Sequence, residues 1–374
     1  MIGLYIHIPF CRKKCAYCDF YSVTDTRPMQ AYVDALCREM DAYRGRYAVD
    51  TIFVGGGTPS MLSFNAWSAI GEAIRRNFYL APSYEFTVEC NPESYSGALA
   101  EVLREIGVNR LSIGVQSMDG DVLKAAGRIH SSMEAMFALV SASQYFDNVN
   151  ADLIIGLPLQ TEETVKRDIE MISGITKHMS IYALQVEEGT PLYDAVEEQS
   201  VRLPDDDTVA EMYDIAYKYL LKQGYHRYEI SNFARDGYEC RHNLNCWRFH
   251  DYIGIGAAAH GYLDGVRYYH YPDVEAYIDD PIYRAIEEED DLANRKFEMI
   301  MLGLRTEEGL DIEAYNRLFN SDFRTEFADV LRSALIRGAT RFTDTHFYVR
   351  PEYLYISNTV SVKFMDKMLN TPDF

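Results

Sequence analysis

The sequence predicts an α/β fold: a partial TIM-type (β/α)6 barrel followed by a small α+β C-terminal domain. Three observations carry this. Short apolar runs alternate with amphipathic stretches about six times in the first part of the chain, the pattern of parallel strands joined by crossovers. The units run roughly 30 residues each, a length that suits a barrel. Polar residues fall late in each apolar run or just after it, and ligand sites in parallel sheets form at the carboxyl ends of strands. A doubly wound open sheet is the competing arrangement of the same units.

Taken in order, "LYIHI" (4–8) precedes a helical pattern over 29–44, "TIFVGG" (51–56) one over 64–78, and "YEFTVEC" (84–90) one over 95–106. "RLSIGVQS" (110–117), "VNADLIIGLP" (149–158) and "MSIYALQV" (179–186) supply three more strands, with helical stretches between and after. Past about residue 235 the periodicity stops, and "CRHNLNCWRFHDYIGIGAAAHGY" (240–262) is dense in aromatics, His and Gly. A helix is expected to begin near Asp291 after an acidic stretch, and "HFYVRPEYLYISN" (346–358) reads as a hairpin. These shifts divide the chain into a barrel over 1–235, a connector over 236–285 and a C-terminal domain over 286–374.

With 57 acidic against 36 basic residues, the formal net charge is −21. A surface that tracked a phosphate backbone would have to overcome that field, so nucleic acid is not expected as a partner. No run of about 18 apolar residues occurs, so no integral membrane segment is expected. The opening "MIGLYIHIPF" lacks the basic lead and long apolar core of an export signal, and reads as a strand. The expected location is the cytoplasm, where thiols stay reduced.

Of seven cysteines, Cys11, Cys15 and Cys18 lie within eight residues. A structural zinc site wants four ligands, usually as two separated pairs, and the second pair is missing here. Closely spaced thiolates around a soft centre suit an iron–sulfur cluster. Three ligands on a four-iron cube leave one iron open, which points to chemistry at the cluster more than to electron storage.

C-x3-C-x2-C with Tyr17 just before the last cysteine resembles the signature of the radical S-adenosylmethionine (SAM) enzymes. The flanking "YIHIPFC", "GGGTPS", "ECNPE", "IGVQS" and "ADLIIGLP" look like the oxygen-independent coproporphyrinogen III oxidase family, and "YEISNFAR", "RHN" and "GLRTEEGL" extend the likeness past the barrel. The resemblance implies a [4Fe-4S] cluster on Cys11, Cys15 and Cys18, with SAM chelating the open iron. It places Tyr5 and Tyr17 near SAM, with Gly56 and Gly57 approaching by bare backbone and Thr58 by its hydroxyl. Glu89 would hold an ammonium, Gln116 and Asp152 ribose hydroxyls and Arg128 a carboxylate, while Ala183 would line the adenine pocket. The implied chemistry is reductive cleavage of a C–S bond to a 5′-deoxyadenosyl radical, fed by a donor such as flavodoxin or ferredoxin.

Within that family two groups differ. The oxidase proper has a fourth cysteine two residues after the third and a long N-terminal extension; here Phe20 holds that place and four residues precede Tyr5. The HemW-like group, which resembles the oxidase but carries haem to acceptor proteins, has Phe there and a motif H-N-x-x-Y-W. This chain has "HNLNCW", His242 to Trp247, with Cys246 where the group has tyrosine. The expectation is a haem chaperone with haem as cargo, His242 as an axial ligand and Cys246 as a second ligand or attachment point; His250 and His260 are nearby candidates. The rival readings are a coproporphyrinogen III dehydrogenase making protoporphyrinogen IX by decarboxylating two propionates, a radical SAM enzyme on another substrate including tRNA, and a purely structural metal protein.

Overall fold

Six parallel strands come first in the computed structural model, which describes residues 1–287 and 291–369. They are β1 (Ile2–Ile8), β2 (Ala48–Gly56), β3 (Tyr79–Cys90), β4 (Arg110–Gln116), β5 (Asn148–Ile155) and β6 (His178–Ala183). Between them run α1 (Met29–Asp41), α2 (Phe64–Asn77), α3 (Gly97–Glu105), the pair α4 (Gly120–Ala125) and α5 (Ser132–Tyr145), and α6 (Glu162–Ile172); α7 (Pro191–Glu197) and α8 (Asp206–Lys222) follow. The six strands neighbour one another in sequence order, with no reversal point, which rules out the doubly wound arrangement.

Local chemistry sets these boundaries. Ser63, Ser96, Ser131, Thr161 and Asp205 cap α2, α3, α5, α6 and α8 by accepting a backbone N–H. α2 buries Ala66, Trp67, Ile70, Ala73 and Ile74 along one face, the spacing of a helix packed on a sheet. β5 stops at Ile155 because Gly156 turns the chain at φ +87°.

The outward residues of the strands, such as Leu4, Ile6, Ile52, Val54, Phe86, Val88, Leu111 and Ile113, are buried under the helices. The inward face is polar instead. Register sets Glu89 beside Ser112, Ser112 beside Asn150 and Asn150 beside His178, with Asp152 beside Ser180. The sheet is rolled. The Ala16 carbonyl, on the loop after β1, accepts from the N–H of Leu192, in the segment after β6 (2.9 Å), which brings the two ends of the six-stranded run together.

The segment after residue 235 is not the aperiodic connector its composition suggests. β7 (His226–Arg227) and β8 (Asn232–Ala234) extend the sheet beyond β6, then α9 (Arg241–Trp247) crosses to the other edge. β9 (Tyr252–Ile255) pairs parallel with β1, and β10 (His260–Leu263), β11 (Val266–Tyr269) and β12 (Ala285–Ile286) continue outward, with α10 (Val274–Asp279) before the last of them. Strands of two to four residues leave too little alternation to read.

α11 (Leu292–Gly303) begins where expected, with Asp291 accepting from the Asn294 N–H. Glu288, Glu289 and Asp290 of the acidic stretch, and residues 370–374, lie outside the described residues. The expected hairpin over 346–358 is corrected. β15 (His346–Val349) pairs with β14 (Thr340–Phe342) before it and with β13 (Leu310–Asp311). Pro351, with no N–H to give a ladder, opens a 3-10 turn, and a helix follows over Ser357–Leu369. A second core of Ile300, Leu304, Tyr315, Phe323, Phe327, Phe347 and Phe364 lies here, and Phe249 and Tyr262 pack with it.

Candidate cluster and cofactor site

β1 delivers the cysteine loop. The Cys11 N–H donates to the Val23 carbonyl (2.9 Å), the Ala16 N–H to Ala126 (3.3 Å), and the Ala16 carbonyl accepts from Leu192 (2.9 Å). The loop is thereby pinned to the segment after α4 and to the first turn of α7. Cys11 is buried, Cys15 and Cys18 half-buried, and all three thiols are free. Burial pushes the Cys18 thiol up to about 11, the Phe20 N–H and Lys14 oppose this, and Cys15 and Cys11 add to it. The Thr58 hydroxyl donates to Cys11 Sγ (3.5 Å) and Arg128 Nη1 to Cys15 Sγ (3.4 Å). Among the described residues no group of three or more His, Cys, Asp or Glu has the spacing of a single-ion site. An iron–sulfur cube spreads its thiolates over separate irons, and three free thiols on one loop suit that chemistry.

Beside the thiols lies an acidic cradle without side chains. The Gly56 N–H donates to Glu89 Oε2 (3.0 Å), and a Cβ on Gly55 would stand 2.7 Å from that oxygen. Gly56 has φ +107°, and a Cβ there would meet the His7 ring at 2.4 Å; at Gly57 it would meet the Ile8 carbonyl at 2.8 Å. Gln116 takes φ +67°, rare outside glycine, and its buried Oε1 has no partner. An orphaned amide oxygen awaits a donor such as a hydroxyl. Asp152 accepts from Ser112 (2.9 Å) and Asn150 (2.8 Å). Tyr17 joins Val122, Ala126, Ile154, Leu157 and Leu184 in an apolar patch next to Ala183 at the end of β6. Tyr5, Tyr17, Gly56, Gly57, Thr58, Glu89, Gln116, Arg128, Asp152 and Ala183 thus lie on the inward face, the strand ends or the loops at the barrel mouth, and the donor set fits a cationic nucleoside with hydroxyls.

Two residues of this site were missed although they stand inside quoted motifs. His7 bonds the Tyr5 hydroxyl through Nδ1 (2.9 Å) and the Tyr21 carbonyl through Nε2 (3.0 Å), and burial lowers it to about 4. It is a neutral spacer under Gly56. Asn91 donates to Thr58 (3.0 Å) and accepts from Arg128 Nη2 (2.9 Å), joining the groups that contact Cys11 and Cys15. Only the cross-strand geometry reveals either role.

Burial, with the Asp152 charge adding and the Gly56 N–H opposing, pushes the Glu89 carboxyl up from 4.5 to about 8. Between those values the folded protein without a cationic ligand binds more protons than the unfolded chain. Its stability therefore falls as pH rises through that window, by up to about 1.4 kcal/mol per pH unit. Glu89→Gln should flatten that decline, giving a variant more stable than the wild type at pH 8 without SAM, yet weaker in SAM binding. Melting temperatures from pH 5 to 8 would test this; a slope identical in both proteins would refute it.

At the opposite end of the barrel, α9 closes the floor. Glu85 accepts from the N–H groups of Arg241 and His242 (both 3.0 Å), and the Cys240 thiol points at it (3.7 Å). His242 is 5% exposed, its Nδ1 lies 3.1 Å from the Thr51 hydroxyl, and its ring packs on Phe53. The imidazole expected as an axial ligand is therefore packed against the floor strands β1 and β2. Cys246, one turn on, instead lines a cavity of about 310 Å³ with Trp247, Phe249, His250, Tyr252, Tyr262 and Arg267. The structure therefore separates the two haem candidates. His260 lies elsewhere, exposed and stacked on Tyr269.

The Radical SAM superfamily pattern matches residues 5–172, the span holding thiols and cradle, so the class of the molecule is a radical SAM protein. The HemN C-terminal domain pattern matches residues 290–352. "Heme chaperone HemW" of Lactococcus lactis is 35% identical over 369 residues, covering 96% of each chain. The protein of that name from Bacillus subtilis is 34% identical over 98% of this chain and all of its own. In fold, the chain is similar to coproporphyrinogen III oxidase HemN from Escherichia coli, with a TM-score of 0.81, 22% identity, and coverage of 97% and 89%. The chain belongs to the HemW family. No helix among the described residues is long and apolar enough to cross a membrane.

Proposed function

We propose that this chain is a haem chaperone that binds haem in the cavity between the barrel floor and α11 and passes it to acceptor proteins in the cytoplasm. The observation that carries the reading is that cavity. Trp247, Phe249, Tyr252 and Tyr262 supply aromatic walls, His250 an imidazole for the iron, and Arg267 a cation for a propionate. Partial burial lowers His250, a shift toward the neutral form that binds a metal. Names of the relatives at 34–35% identity support the cargo. Phe20, 70% exposed, stands where the oxidase has its fourth cysteine, which favours cargo handling over decarboxylation.

Cys11, Cys15 and Cys18 would hold the cluster, and Glu89, Gln116 and Asp152 would orient SAM. Bound, the cluster supplies a one-electron couple beside a cationic cofactor. The chain's own contribution is to hold both in a cradle that Gly55, Gly56 and Gly57 leave open. Haem titration of cluster-loaded protein tests the cargo site. His250→Ala should shift the Soret band and weaken binding by about tenfold, the scale of losing a metal-site interaction. His242→Ala should leave the band in place, and Cys246→Ala decides whether the thiol contributes. An unchanged Soret band and affinity in His250→Ala would remove this cavity from the account. Transfer to an apo-cytochrome, followed by absorbance, tests delivery.

A further inference from the structure

We infer that the exposed cations of the cysteine loop form a docking surface for a small acidic protein carrying a one-electron centre, which reduces the cluster. The inference rests on the cluster reading and concerns what feeds it. Arg12, Lys13 and Lys14 fill the space between Cys11 and Cys15, and all three are exposed. Among the described residues no side-chain hydrogen bond or ion pair holds any of them, and Asp19 is the one acid between residues 11 and 20. Several other surface cations are paired, as Arg27 is by Asp25, Arg76 by Asp41 and Arg167 by Asp119, and among those without an acid Lys124 and Lys222 stand singly in the sequence.

Three free cations in succession on a chain of net charge −21 stand out against their field. An acidic partner is repelled by the body of such a molecule and attracted at this one loop, so the patch sets where it lands as well as how fast. The rim is apolar. Phe20 is 70% exposed on the same loop, and Ile129 (43%) and Met133 (80%) follow the segment to which Ala16 is hydrogen-bonded. Cations flanked by exposed apolar side chains match the mixed make-up of a transient protein interface. Its position on the loop that bears the three thiols selects the partner's chemistry, since whatever docks there brings its own centre next to the irons. The step is one electron from the reduced flavin or iron–sulfur centre of the carrier to the cluster; the carrier is oxidised by one electron, and no bond or proton is exchanged with this chain.

The test is anaerobic stopped-flow reduction of cluster-loaded protein by a photoreduced acidic flavodoxin, with dithionite as a reductant that needs no docking. The variant R12E/K13E/K14E should lower the carrier's second-order rate at low ionic strength by about tenfold or more. Its iron and sulfide content and its dithionite rate should match the wild type, and the wild-type carrier rate should fall as salt is added. Met133→Asp, away from the thiols, should slow the carrier alone by severalfold, and it carries the comparison should the triple reversal lose iron. A carrier rate indifferent to these substitutions overturns the proposal. So does triplet-dependent uptake of the protein by vesicles of phosphatidylglycerol with carrier reduction unaltered. Wild-type protein without iron or sulfide would instead overturn the cluster reading itself.

Discussion

Replacing Cys15 with alanine is expected to leave a folded protein with almost no iron. Cys15 sits half-buried on a loop and packs in no core, so its loss removes little buried area; substitutions of that kind usually change stability by less than about 1 kcal/mol. Its sulfur is also the acceptor for Arg128, a largely buried guanidinium that keeps two other acceptors, Asn91 Oδ1 (2.9 Å) and the Gly114 carbonyl (2.8 Å). The framework therefore survives the change. The cluster does not, because a cube already short of one thiolate is left with two. Iron and acid-labile sulfide should fall below about a tenth of the wild-type content, the scale by which an essential ligand outweighs a supporting one. Visible absorption should vanish while far-ultraviolet circular dichroism stays the same. Cys11→Ala is a poorer choice, since that thiol is buried and bonded to Thr58. Cys246→Ala serves as the control and should keep all its iron. Wild-type iron content in Cys15→Ala would end the reading of this loop as a cluster site.

The barrel was legible because its signals are local. Each long strand carries its own apolar run, each crossover its own periodicity, and the three cysteines occupy one loop with nothing else to explain them. The site was legible as motifs and less so as chemistry. Glu89 was recognised as a carboxylate able to hold a cation, but its raised pKa comes from burial inside the barrel, with Asp152, two strands away, adding to it. His7 and Asn91 were passed over because their partners are Gly56, Arg128 and Thr58, contacts that exist only once the strands are paired. The burial of His242 was illegible for a different reason. A histidine inside a family motif was read for its ligand chemistry, while its surroundings, Gly3, Thr51 and Phe53 on the first two strands, bury the ring. The tail misled through alternation: in "EYLYIS", Tyr353 and Tyr355 are exposed and Leu354 is buried, a strand-like pattern that a 3-10 turn also produces.

Glu85→Ala should strongly destabilise the barrel while leaving the cluster loop untouched. The carboxylate is 6% exposed and serves three groups on one short segment: the N–H of Arg241, the N–H of His242 and the thiol of Cys240. It also faces Arg110, a buried arginine whose charge it supports. Alanine deprives two buried donors of their acceptor and leaves Asp152 as the carboxylate acting on that guanidinium, and each orphaned buried donor costs about 1–3 kcal/mol. Glutamine keeps one good acceptor and should cost about 1–2 kcal/mol. The loss has a direction. α9 is the element released, and it carries Asn243, Cys246 and Trp247 of the cavity wall, so haem affinity should fall in step with stability while iron content holds. Amide exchange over residues 240–247 should quicken in Glu85→Ala more than exchange over β1 to β6, and urea midpoints should rank wild type, glutamine, alanine. Uniform exchange across the barrel would show that Glu85 stabilises the fold generally, without specifically fixing the floor helix, and would break the link drawn here between the barrel's base and the haem cavity.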